Sequence, residues 1–95
     1  MPPGLDDPTT AVPWVLLHGT PLGPRVWDDV AADLSRSAPV WAPDLTPTVD
    51  DPTPQRSLAV GLAAQLREPA HLVGHSFGGQ IALELALIAP RVVES

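Results

Sequence analysis

An α/β fold, three parallel strands with helices on both faces, is what this chain predicts, and three observations carry that expectation. Short runs of continuous apolar residues end at turn-forming residues, the pattern of strands buried on both faces of a parallel sheet. Segments with apolar residues at helical spacing lie between those runs, which recur about every 25 to 30 residues, room for a right-handed crossover. The third run leads straight into Gly74-His75-Ser76-Phe77-Gly78 and a further apolar helical stretch, which spells a serine on a sharp strand-to-helix turn.

Residues 1–12 are rich in Pro, Gly, Asp and Thr without periodicity and read as a flexible arm, so order is expected from Pro13 and the folded core over 13–95. Trp14-Val15-Leu16-Leu17, ending in His18-Gly19, is the first strand. From Pro24 to Ser35, Trp27, Val30, Ala31 and Leu34 recur at helical spacing with Asp28, Asp29 and Asp33 turned outward, an amphipathic helix with proline suited to its first turn. Val40-Trp41-Ala42 is the second strand. The segment Asp44 to Pro54, with Pro47, Pro52 and Pro54, is an irregular connection leaving a strand's C-terminal end, the edge where open α/β sheets place ligands. Gln55 to Arg67 spaces Leu58, Leu62 and Leu66 four apart, a second helix, and His71-Leu72-Val73 is the third strand. The run Gly79 to Ala89 is apolar all round except Gln80 and Glu84, so this helix is expected to be the most buried, and Pro90 stops it. The predicted strand order in space is second, first, third.

Composition excludes several classes of function. Eleven acidic residues against five basic ones give a net charge of −6, which repels phosphate backbones and anionic lipid, so neither nucleic acid nor a membrane is expected as a partner. The absence of cysteine removes thiolate metal sites and thiol nucleophiles, and no His and carboxylate cluster has metal spacing, so no metal and no cofactor is expected. Asp6 and Asp7 and the lack of a basic or apolar stretch in Met1 to Thr10 are unlike a secretory leader, which makes the cytoplasm the expected compartment. Gly74, Gly78 and Gly79 do not fit a dinucleotide fingerprint, because Ser76 fills the second glycine's place, and a phosphate loop needs a lysine that the chain lacks. The 13 prolines far exceed the usual ~5%, and they punctuate rather than interrupt: Pro13, Pro39 and Pro69 precede apolar runs, Pro43 and Pro90 follow them.

Serine is a weak nucleophile at neutral pH and becomes useful when a base takes its proton and donors await the oxyanion. The Phe77 N–H, first on the helix after Ser76, is one candidate donor. A second should come from His18-Gly19-Thr20-Pro21, where Thr20 is the candidate because Pro21 has no N–H, while Gly19 permits close approach and His18, Gly19 and Pro21 are candidate loop or substrate contacts. The base is missing from its expected place, since no histidine and no aspartate follows Ser76. His75 alternates to the opposite side of the strand from Ser76 and is expected under the sheet; His71 begins the same strand, far from the elbow. His18 ends the neighbouring strand at the same edge, where it fixes the loop by backbone hydrogen bonds or contacts the elbow. Asp44 reads as a turn former, Glu84 as a satisfied carboxylate, and Trp14, Trp27 and Trp41 as core.

In four blocks the chain resembles the N-terminal half of an α/β-hydrolase core of the compact esterase, thioesterase and acyl-hydrolase kind. Trp14 to Gly19 is similar to that family's strand and HG loop, Trp27 to the aromatic on its first helix, Val40-Trp41-Ala42-Pro43-Asp44-Leu45 to its next strand and acidic turn, and His71 to Gly79 to its nucleophile segment. The resemblance implies hydrolysis of an ester, thioester or related acyl bond of a small substrate through acyl-Ser76. It departs in the turn, where Thr46-Pro47-Thr48 replaces the usual glycines, and in lacking the antiparallel first strands and everything after the elbow helix. That implies a truncated core, inactive alone, with the triad's histidine and acid outside the chain. An acyltransferase has the same elbow. A non-catalytic module is the other alternative, self-associating or accepting a complementing C-terminal segment through the open edge of the third strand.

Overall fold

The computed structural model describes residues 11–47 and 50–95, so most of the N-terminal arm expected over 1–12 lies outside the described residues. Pro13 is buried and its carbonyl accepts the His71 N–H at 2.8 Å, which ties the residue before the first strand to the third. The strands are β1 (Trp14–Leu17), β2 (Val40–Trp41) and β3 (His71–Gly74), all parallel, in the order β2-β1-β3. Trp14 stands opposite Val40 on one side and His71 on the other, and Leu17 opposite Gly74. β2 is shorter than its apolar run because Pro43 has no N–H to continue the ladder.

The helices are α1 (Asp28–Leu34), α2 (Pro54–Gln65) and α3 (Phe77–Ile88). A 3-10 turn, Pro24–Trp27, precedes α1, so the single helix expected from Pro24 is split where Trp27 leaves helical geometry. α3 begins two residues before the expected Gly79, since Gly78 and Gly79 belong to its first turn. Val15, Leu17, Leu45, Ala59, Leu62, Leu66, Ile81 and Leu85 form one core between the sheet and the α2–α3 pair. Alternation along β1 sends Leu16 to the other face, outside that cluster, where it is fully buried. Each such aliphatic side chain contributes roughly 1.5–3 kcal/mol by leaving water.

Three expectations need correction. Trp14 and Trp27 are half-buried outside the core, whereas Trp41, also half-buried, packs against it as expected, and the centre of the core is aliphatic. α1 buries none of its residues completely, because it is the lone helix on its face among the described residues, and Val30 stays exposed. α3 is the most buried of the three helices, as expected, with Gly78, Ile81 and Leu85 buried where α2 buries Ala59 and Leu62 and α1 none, while its Leu83 and Leu87 stay 69% and 76% exposed. The outer edge of β3 is not wholly open, because Ala70 pairs with Val93 in parallel. There the Ala70 N–H donates to the Val92 carbonyl (2.9 Å), the Glu94 N–H to the Ala70 carbonyl (2.8 Å) and the Leu72 N–H to the Ser95 carbonyl (2.9 Å).

Candidate active site

Ser76 occupies the junction of β3 and α3 with φ 56° and ψ −114°, a positive φ that an L-residue adopts only under constraint. The constraint is packing on both sides of it. A Cβ on Gly78 would land on the Leu17 carbonyl, and one on Gly74 would come within 2.5 Å of the Gly78 carbonyl, so β1, β3 and the first turn of α3 approach as closely as backbone allows. The His75 N–H donates to the Leu17 carbonyl (3.0 Å), and the Gly78 N–H to the His75 carbonyl (3.0 Å). Ser76 is thereby lifted, exposed, at the C-terminal edge of the sheet, with Phe77 as the first residue of α3. First-turn amides have no acceptor four residues back, and the helix dipole makes that end electropositive.

The loop after β1 leans on this elbow. A Cβ on buried Gly19 would meet the His75 carbonyl at 2.9 Å and the Ser76 Cβ at 3.1 Å, so only glycine brings the loop this near the hydroxyl. Thr20 and Pro21 follow, both exposed and joined by a cis peptide bond. The structure therefore gathers Gly19, Ser76 and Phe77 at one edge, with Thr20 next along the loop.

His18 faces inward and is 1% exposed. Its Nε2 receives the Leu45 N–H at 2.9 Å, and because an amide nitrogen only donates there, the ring proton belongs on Nδ1, which donates to the Gly19 carbonyl at 3.0 Å. Both nitrogens are thus spent on holding the loop to the turn after β2, and none is presented to a substrate. In that turn the Asp44 Oδ1 accepts the Thr46 hydroxyl (2.7 Å) and N–H (3.2 Å), and lies 3.8 Å from the His18 Nε2. The Thr46 hydroxyl, chiefly, holds the Asp44 carboxyl below its ordinary 3.8 against an opposing desolvation, and the Thr46 amide and His18 add lesser lowering effects.

The remaining titratable candidates lie elsewhere. His75, expected under the sheet, is exposed, with its Nδ1 3.2 Å from where a Gly19 Cβ would sit. The sharp bend at Ser76 ends the strand alternation on which that expectation rested. His71 stacks on Trp14 with ring centroids 4.5 Å apart and meets the Ser95 hydroxyl at 2.7 Å, at the opposite end of the strand. Glu84 pairs with Arg56 at 3.5 Å across α2 and α3. Sequence reasoning missed the Leu45 amide as the partner of His18, which no spacing rule reveals, and the hydrogen bond from Gln55 to Gln80 (2.7 Å) that ties the first turns of α2 and α3. Among the described residues no group of His, Cys, Asp or Glu could hold a metal ion, and no helix is long and apolar enough to cross a membrane.

This architecture, a parallel sheet with a sharp glycine-flanked strand-to-helix turn at its C-terminal edge, is that of a partial α/β-hydrolase fold. The model of the alpha/beta hydrolase family matches residues 14–95, and the chain belongs to that family. A pimeloyl-[acyl-carrier protein] methyl ester esterase of Neisseria meningitidis is 38% identical over 84% of this chain and 27% of its own length. A 2-hydroxymuconate semialdehyde hydrolase of Pseudomonas is 35% identical over 94% of this chain and 36% of its own length. The chain spans about a third of the length of these curated relatives. An extracellular alpha/beta-hydrolase from a Paenibacillus species shares the fold with a TM-score of 0.71 over 88% of this chain and 38% of that one, at 22% identity.

Proposed function

We propose that the chain is the nucleophile-bearing part of a cytoplasmic serine hydrolase acting on an ester, thioester or related acyl bond of a small substrate. The Ser76 Oγ attacks the acyl carbon, the Thr20 and Phe77 N–H groups receive the oxyanion, the alcohol or thiol departs with a proton, and water then releases the acid from acyl-Ser76. The observation that carries this is the positive φ of Ser76 between a strand and a helix N-terminus, a strain that persists where function needs it. The esterase and hydrolase names of the relatives support the reaction class. A general base does not come from the described histidines: His18 is spent on the loop, His71 lies at the far end of β3, and the exposed His75 has no carboxylate partner among the described residues to orient it. The histidine and acid are supplied by polypeptide outside them, so this chain alone turns over esters slowly or not at all.

Incubation with p-nitrophenyl butyrate at mildly alkaline pH, read by intact mass and peptide mapping, tests this. A single slowly released butyryl adduct on Ser76, absent from Ser76→Ala, is the expected result; adducts spread over several residues would refute it.

A second reading, pairing with another chain, is favoured by exposed Leu83 and Leu87 and by an outer edge of β3 covered only by the segment ending at Ser95. Its occupant is a second copy or a complementing C-terminal segment. Size-exclusion with light scattering tests it, and a monodisperse monomer that gains no activity from a C-terminal hydrolase segment would oppose it.

A further inference from the structure

We propose that His18 is a positioning residue with two settings, exchanging the Leu45 amide for the Asp44 carboxylate when its ring takes a second proton from solvent. The geometry contains both partners. In the neutral ring the Nε2 lone pair accepts the Leu45 N–H at 2.9 Å while Nδ1–H donates to the Gly19 carbonyl at 3.0 Å. Protonation places an N–H on Nε2, opposite another N–H, and that bond is lost. The acceptor nearest the new proton is the Asp44 Oδ1, 3.8 Å away, about 1 Å beyond a charge-assisted hydrogen bond. Asp44 can move to meet it, since its side chain is 67% exposed and anchored only through Thr46. The ring stays bonded to Gly19 in either setting, so any shift of the ring toward Asp44 carries Gly19, on which a Cβ would meet the His75 carbonyl at 2.9 Å and the Ser76 Cβ at 3.1 Å.

The titratable groups set against this loop are Asp44 on the turn after β2 and, across Gly19, the exposed imidazole of His75. The consequence is a loop whose approach to Ser76 loosens on acidification. Its relevance to catalysis rests on the proposed oxyanion role of Thr20; the exchange itself does not.

The test is a titration by proton–nitrogen correlation spectroscopy from pH 8 down to the onset of unfolding. His18 is expected as the Nδ1–H tautomer at high pH, and the Leu45, Gly19 and Thr20 amides are expected to shift together with its ring. His18→Gln keeps an acceptor for Leu45 but does not titrate, so the amide step should vanish; Asp44→Asn, which leaves the core untouched, should move it to lower pH. An amide step that persists in His18→Gln, one that follows the His75 ring instead, an unmoved step in Asp44→Asn, or no step before unfolding would each overturn the proposal. Acylation of Ser76, scored separately, leaves all of these outcomes unaltered.

Discussion

Ser76 and Asp44 show how single side chains shape the C-terminal edge of the sheet. Ser76 is held at φ 56°, ψ −114°, a conformation costing an L-residue about 1–3 kcal/mol. Ser76→Gly should therefore stabilise the fold by about 1 kcal/mol in chemical denaturation while abolishing acylation, whereas Ser76→Ala should abolish acylation and leave the strain in place. Asp44 has a carboxyl held below 3.8, mainly by the Thr46 hydroxyl. Since its folded value is depressed, the stabilisation is present above 3.8 and is lost as pH falls through the lower folded value. Thr46→Val should return the Asp44 titration, followed by carbon-detected NMR, toward the ordinary value. At this scale the glycine-serine pattern made the sharp turn at Ser76 legible, because flanking glycines answer a local steric need. The roles of His18 and Asp44 were legible only as classes, turn former and loop anchor, since their partners are long-range and hydrogen-bond geometry has no period in sequence.

Between elements, glycine spacing matters more than apolar content. Gly78 lies against the Leu17 carbonyl, so Gly78→Ala must push α3 off β1 and should cost at least ~3 kcal/mol, or prevent folding, as read by urea titration. Gly61, exposed in α2 with open space around it, offers the reverse: Gly61→Ala should stabilise by roughly 0.5–1 kcal/mol through helix propensity alone. Strand order and helix positions followed from apolar runs and periodicity, and proline explains why β2 stops at Trp41. Helix starts were less legible, because the residue that opens α3 is decided by the elbow's packing rather than by propensity. The apolar run marked α3 as the most buried helix, and so it is, but such a pattern reports what a helix is suited to cover, and Leu83 and Leu87 remain exposed.

At the scale of the molecule, the chain supplies a sheet edge, a strained serine and helix-end donors, and its family membership extends over residues 14–95. The exposed leucines of α3 predict weak self-association, so Leu83→Lys with Leu87→Lys should lower the apparent mass in light scattering while leaving the denaturation midpoint nearly unchanged. The central claim is that Ser76 is presented for nucleophilic attack and that no base within the described residues activates it. The most direct measurement is the rate of phosphonylation by an aryl fluorophosphonate as a function of pH, with the label mapped among Ser35, Ser37, Ser57, Ser76 and Ser95. The prediction is label confined to Ser76, at a rate that rises with hydroxide through pH 9 without levelling. Label without preference for Ser76, or a rate that plateaus near neutral pH and collapses in His75→Gln, would contradict it.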